Sequence, residues 1–232
     1  MRFDIITIFP EIFDSYFNES ILARAQKKEL IKINVHDLRK YTTDRHKTID
    51  DSPYGGGVGM ILKVEPIYKA LLDLKIINKD GTKNQRLKKT KIFLMSAKGE
   101  IFNQKIAKDI SDLNRIVLIC GRYEGVDERV IKYLVDSEIS IGEYILTGGE
   151  LPAMIIVDSV TRLIDGVLGN SESIINESFS SYGYLEHPYY TRPEIFQPSK
   201  NAKWKVPNVL LSGDHKKIEE WRIRNSKNNF KE

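Results

Sequence analysis

The stretch Ile116-Val117-Leu118-Ile119-Cys120-Gly121-Arg122-Tyr123-Glu124-Gly125 runs from an unbroken apolar segment into a loop bounded by glycines and carrying a guanidinium and a carboxylate. An apolar run this short, rich in β-branched residues and ended by glycine, predicts a strand buried on both faces. Outward from it, 5–9, 31–35 and 92–95 read as further strands, while 11–26, 66–74, 103–113 and 127–135 carry a helical apolar period. A long helix over 150–163 follows, with Pro152 tolerated in its first turn. Strands separated by helical segments predict an α/β fold, a parallel sheet flanked by helices on both faces. In such a sheet ligands gather beyond the carboxyl ends of the strands. That is where Ser96-Ala97-Lys98-Gly99, the loop 121–125 and the stretch 140–149 all begin. There Ile141, Tyr144, Ile145 and Leu146 supply apolar surface, and Gly142, Gly148 and Gly149 let the chain fold close, although glycines also serve simply to shape tight turns.

A second glycine-rich stretch, Asp50-Asp51-Ser52-Pro53-Tyr54-Gly55-Gly56-Gly57-Val58-Gly59-Met60, has two carboxylates and no basic residue. It lacks the Gly-Lys-Ser/Thr that ends a phosphate-cradling loop, and Met60 stands where a dinucleotide loop has its third glycine. Both nucleotide readings fail, leaving a surface turn or a backbone that lets a ligand come close.

The 232 residues, 41% hydrophobic, suffice for one large domain, or one domain with a small appendage. No run approaches the roughly 18 apolar residues of a membrane helix, and Asp4 and Pro10 interrupt what a signal peptide would keep apolar. A soluble, cytoplasmic protein is expected. The single cysteine, Cys120, excludes an internal disulfide and ends an apolar run, which predicts a buried, inert thiol. His36, His46, His187 and His215 show no paired ligand spacing, so no structural metal centre is expected. The net charge of +4 is modest, but its distribution is not even. Between residues 75 and 91 seven basic residues meet one acid, and between 200 and 232 nine meet four. Such stretches are often only solvated faces. With Trp204, Trp221 and Phe230 interleaved in the second, they suit a polyanion with unstacked bases. After Gly166 the composition turns polar; Asn170-Ser171-Glu172-Ser173-Ile174-Ile175-Asn176-Glu177-Ser178 reads as a linker, followed by a small helical domain with an amphipathic stretch at 215–223.

Six segments in register carry a resemblance. They are Phe3-Asp4-Ile5-Ile6-Thr7-Ile8-Phe9-Pro10, the stretch 50–60, Cys120-Gly121-Arg122-Tyr123-Glu124-Gly125-Val126-Asp127-Glu128-Arg129, Ser140-Ile141-Gly142-Glu143-Tyr144-Ile145-Leu146-Thr147-Gly148-Gly149-Glu150, His187-Pro188-Tyr189-Tyr190-Thr191-Arg192-Pro193, and Val206-Pro207-Asn208-Val209-Leu210-Leu211-Ser212-Gly213-Asp214-His215 with Trp221-Arg222. Almost end to end, the chain resembles the bacterial tRNA (guanine-N1)-methyltransferases of the SPOUT, or trefoil-knot, superfamily. The resemblance implies methyl transfer from S-adenosylmethionine to N1 of the guanine at tRNA position 37, next to the anticodon. It implies a knotted cofactor-binding domain over 1–165, a flexible linker over 166–178 and a helical tRNA-binding domain over 179–232. It also implies a homodimer, in which linker and C-terminal domain of one subunit complete the site of the other, and activity helped by magnesium.

By the same resemblance Leu94, Met95, Ser96, Gly121, Glu124, Ser140, Ile141, Gly142, Glu143, Tyr144, Ile145, Leu146, Gly148 and Gly149 hold the cofactor, with Glu124 near its ammonium group. N1 of guanine carries a proton at neutral pH, so its attack on a methyl group requires a base and a donor for the charge gathering on O6. Glu177 stands where the family has its catalytic aspartate, and Arg162 where it has the supporting arginine. Without the resemblance, Glu177 reads as a solvated charge and Arg162 as a helical partner of Asp158. His46, Tyr54, Arg192, His215 and Trp221 are expected to face tRNA, each being equally able to pack or cap. Asp50 and Asp51 suit contact with the target guanine, a magnesium ion, or a turn.

The chain departs from the family's pattern at Ser96-Ala97-Lys98-Gly99, usually Ser-Pro-Gln-Gly, and at Ile164-Asp165-Gly166, usually Ile-Pro-Gly. The second change removes a stiffening proline and predicts a looser exit from the helix. Two rival functions fit parts of the sequence. A non-enzymatic RNA-binding protein would bind RNA in a salt-sensitive manner without S-adenosylmethionine. A magnesium-dependent nucleotide hydrolase would use Asp50 and Asp51 as ligands.

Overall fold

In the computed structural model, which describes residues 1–170, 177–181 and 183–228, the chain divides into two units, Met1–Gly169 and Asn170–Glu232. The first begins with β1 (Arg2–Thr7), a 3-10 turn at Pro10–Phe13, α1 (Asp14–Phe17), α2 (Ser20–Lys27) and β2 (Lys32–Asp37). A two-residue pair, β3 (Asp50–Asp51) and β4 (Ile61–Leu62), brackets the glycine-rich stretch and leads into α3 (Val64–Asp73). Then come β5 (Thr90–Ile101), α4 (Gln104–Ser111), β6 (Arg115–Cys120), α5 (Glu128–Tyr133), β7 (Ser137–Ser140) and α6 (Glu150–Thr161).

Five of these strands form one sheet in the order β2-β1-β6-β5-β7, every pair parallel. Strand β6 lies at its centre. Successive side chains of a strand point to opposite faces, and β6 divides accordingly. Ile116, Leu118 and Cys120 join a core shared with α2, α4 and α6, while Val117 and Ile119 join one shared with α3 and α5. That two-sided burial is why the run has no polar alternation. Fully burying each such side chain contributes about 1.5–3 kcal/mol.

Three expectations about local structure need correction. The helical period over 11–26 is not one helix, because Glu19 is extended (φ −118°, ψ 156°) and Ser20 is left-handed (φ 50°), which interrupts the hydrogen-bond ladder. The strand expected at 92–95 continues to Ile101. Its far half pairs Glu100 and Ile101 with Ile139 and Ser140 of β7 after a bulge. Strand β7 went unseen in the sequence because Ser137-Glu138-Ile139-Ser140 has one apolar residue and no clear alternation.

The second unit pairs β8 (Tyr184–Leu185) with β11 (Lys227–Asn228), and contains an antiparallel hairpin of β9 (Ile195–Ser199) and β10 (Ala202–Lys205). Between them stand α7 (Asn208–Leu211) and α8 (His215–Asn225), the latter capped by Asp214, whose carboxylate accepts from the Lys217 N–H at 3.2 Å. Of the stretch expected as a linker, 171–176 lies outside the described residues. Among the described residues no helix is long and apolar enough to cross a membrane.

Candidate active site

Parallel strands present their carboxyl ends on one edge, and there the middle of β5, at its bulge, with the segments leaving β6 and β7 encloses a cleft of about 370 Å³; the loop expected at 96–99 lies inside β5. Leu94, Met95 and Ser96 come from β5, Gly121 and Glu124 from the loop after β6, and Ser140, Ile141, Gly142, Tyr144, Ile145, Leu146, Gly148 and Gly149 from the segment between β7 and α6. Every residue expected to hold the cofactor lines this cleft except Glu143, which is exposed and outside the lining. Arg122, Thr147, Glu138 and Pro152 line it as well.

Backbone closes the cleft more than side chains do. The Gly149 N–H donates to the Gly121 carbonyl at 2.9 Å, joining the second and third loops. A side chain at Gly149 would stand 2.8 Å from the Cys120 Cα and 2.9 Å from the Gly121 nitrogen, so only glycine permits this approach. Ser140 Oγ donates to the Gly142 carbonyl at 3.0 Å, and Tyr144 Oη donates to the Ile141 carbonyl at 3.1 Å, fixing the turn between. Cys120, fully buried beneath, has its thiol pKa raised by burial and by the charge of Glu150; it is packing, not a nucleophile.

The glycine-rich stretch adjoins the cleft through the loop after β6. Glu124 N–H donates to the Met60 carbonyl at 3.0 Å, and Leu62 N–H donates to the Gly125 carbonyl at 3.0 Å. Gly59 (φ 88°) leaves no room for a side chain beside Glu124. Asp51 accepts from the Ser52 N–H at 2.9 Å and pairs with Lys63 at 3.4 Å, contacts that lower its pKa and match a turn. Tyr54 is fully exposed and His46 exposed. Among the described residues no three His, Cys, Asp or Glu side chains gather in metal-ligating geometry.

A family model described as tRNA (Guanine-1)-methyltransferase TrmD matches residues 1–232. The chain belongs to the tRNA (guanine-1)-methyltransferase family. It is 51% identical over 222 residues to the tRNA (guanine-N(1)-)-methyltransferase of Dictyoglomus turgidum, covering 96% of this chain and 83% of that one. To the protein of the same name from Endomicrobium trichonymphae it is 45% identical over 232 residues, 100% of this chain and 97% of the other. The Bacillus pumilus protein of that name is 49% identical over 226 residues, 97% and 87% respectively.

The other expected site residues of this tRNA (guanine-1)-methyltransferase family member fall in both units. In the first, Arg162 ends α6, its N–H donating to the Asp158 carbonyl at 3.1 Å, while the Asp158 carboxylate accepts from the Tyr16 hydroxyl and pushes the tyrosine pKa up to about 12. In the second, Glu177 is half-buried and its carbonyl accepts from the Ser180 N–H at 3.0 Å. Trp221 sits edge-on to His187 at 6.1 Å and to Tyr190 at 6.3 Å. Arg192 and His215 are exposed.

Sequence reasoning did not find Glu150 or Thr7. Glu150, only 2% exposed, accepts from Arg122 Nε at 2.9 Å and from the Thr7 hydroxyl at 2.7 Å. The available signals were slight: an acid directly behind Gly148-Gly149 at a helix start, and a hydroxyl ending an apolar strand.

Proposed function

We propose that this protein transfers the methyl group of S-adenosylmethionine to N1 of the guanine at position 37 of tRNA. The observation that carries the reading is the cleft between the middle of β5 and the ends of β6 and β7, lined by the glycine loops in a chain of this family. The cleft's chemistry suits that cofactor. Glu124, Glu128 and Glu138 line it against Lys98 and an Arg122 already paired with Glu150. One oxygen of Glu138 is buried with no hydrogen-bond partner among the described residues. A buried carboxylate oxygen left unpaired is costly, and a ligand bearing an ammonium group, a sulfonium and ribose hydroxyls would satisfy it. When bound, S-adenosylmethionine supplies an electrophilic methyl group on sulfur.

The protein's own residues would do the rest. Backbone groups of Ile141, Gly142 and Leu146 hold the adenosine, Glu124 meets the ammonium group, Glu177 takes the proton from guanine N1, and Arg162 steadies the charge on O6. Glu177 is one methylene longer than aspartate and keeps the acid. Asp50, Asp51, His46, Tyr54, Arg192, His215 and Trp221 face the RNA. Magnesium would assist through carboxylates at the edge of the cleft rather than through a dedicated cage.

We also propose the trefoil knot and the homodimer. In support of the knot, Ser140 at the end of β7 accepts from the Phe102 N–H at 2.7 Å, just past β5. The chain then reappears at Gly149 against Met95 and Cys120, on the other side of that strand. In support of the dimer, α6 is apolar on nearly every side. Leu151 and Ile155, one turn apart, remain 59% and 42% exposed, and Phe9, Ile12 and Tyr16 are exposed as well. A helix apolar all round is ordinarily covered.

Incubation with labelled S-adenosylmethionine and unmodified tRNA transcripts tests the reading. Label enters transcripts with guanine at position 37 and not those with another base there. RNA binding without label transfer would favour the non-enzymatic rival, and phosphate release the hydrolase.

A further inference from the structure

We infer that Glu150 is a positioning residue which, through Arg122, clamps the two glycine loops of the cleft in register. The inference rests on reading that cleft as the cofactor site. Arg122 reaches across both loops: it belongs to the one after β6, while its Nη1 donates to the Thr147 carbonyl of the other at 3.1 Å. Its side chain is 17% exposed, and its Nε donates to Glu150 Oε2 at 2.9 Å. The Phe9 ring covers it at 4.7 Å from the centroid. Glu150 is in turn fixed from behind. Its second oxygen accepts from the Thr7 hydroxyl, whose oxygen accepts from the Phe9 N–H at 3.0 Å. The carboxylate also occupies the first turn of α6, where the helix dipole favours negative charge. A buried acid anchored from behind on β1 and bonded in front to the arginine that joins both loops serves to hold those loops; its nearly complete burial keeps it from acting on a ligand directly.

Three variants test this: Glu150→Gln, Arg122→Lys and the double. Gln keeps an acceptor for Thr7 but loses the charge; Lys keeps the charge but loses the planar fork. The measurements are S-adenosylhomocysteine binding by calorimetry, KM and kcat for S-adenosylmethionine, and hydrogen exchange over 121–125 and 141–149 without ligand. Each single variant is expected to lose roughly 100-fold in kcat/KM, more through KM than kcat. The double should lose no more than the worse single, because both break one clamp. Exchange at the Gly149 N–H accelerates in all three before any ligand is added. Single variants within about twofold of wild type, or a double whose loss is the product of the two, would overturn the inference. If Glu150→Gln fails to fold, Arg122→Lys, at a partly exposed position, carries the test. Should wild type itself not bind S-adenosylhomocysteine, the methyltransferase reading falls; the ligand-free exchange pattern still decides the clamp.

Discussion

At the scale of single residues, Asp4 gathers four side chains in the first unit. It is wholly buried in β1 and accepts from Arg2, from Arg115 Nε at 2.7 Å, from Asn34 at 3.2 Å and from His36 at 2.7 Å. Burial alone would raise its pKa, but the hydrogen bonds from His36, Arg2 and Arg115 together outweigh that and hold the carboxyl well below the usual range. A depressed carboxylate stabilises the fold fully above its unfolded pKa near 4, and that contribution is lost as the pH falls below it. Urea unfolding should therefore show stability falling below about pH 4, and Asp4→Asn should flatten this loss. At neutral pH the same variant should cost about 1.5–3 kcal/mol, since it takes the carboxylate from the partly buried Arg115. Glu177 is tested differently. Glu177→Gln should lower turnover by at least about 100-fold while S-adenosylhomocysteine binding, read by calorimetry, stays near wild type; ordinary turnover would remove it as the base.

At the scale of elements, α6 does two things. Ala153, Ile156, Val157 and Val160 bury one side against the sheet, while Leu151 and Ile155 leave an apolar strip outside. Replacing that strip by Leu151→Glu with Ile155→Glu should leave the fold intact, because neither side chain is in the core. It should convert a dimer to a monomer in sedimentation analysis, and a chain already monomeric before the change would refute the proposed assembly. The helix itself was readable at 150–163, within two residues of its observed end. Strand β7 was not, because its place comes from pairing with β5 on both sides of the bulge, a long-range contact that Ser137-Glu138-Ile139-Ser140 does not announce.

At the scale of the whole molecule, the question is whether one subunit holds a complete site. Arg162 lies in the first unit and Glu177 in the second. If two copies share each site, mixing an inactive Glu177→Gln protein with an inactive Gly142→Val protein should restore part of the activity, since some mixed dimers keep one intact site. No recovery at any ratio would mean that each chain works alone.

Apolar periodicity is a local property, and it determined the parallel sheet, the two-sided burial of Ile116 to Cys120 and the loop after it; the motif residues determined the family. What the sequence could not contain is partnership across distance. That Arg122 spans two loops, that Glu150 stands buried behind it on Thr7, and that Asp4 gathers Arg2, His36 and Arg115 are outcomes of strands meeting from far along the chain. A charge looks solvated in sequence until the fold removes water from it, and only the packed sheet does so.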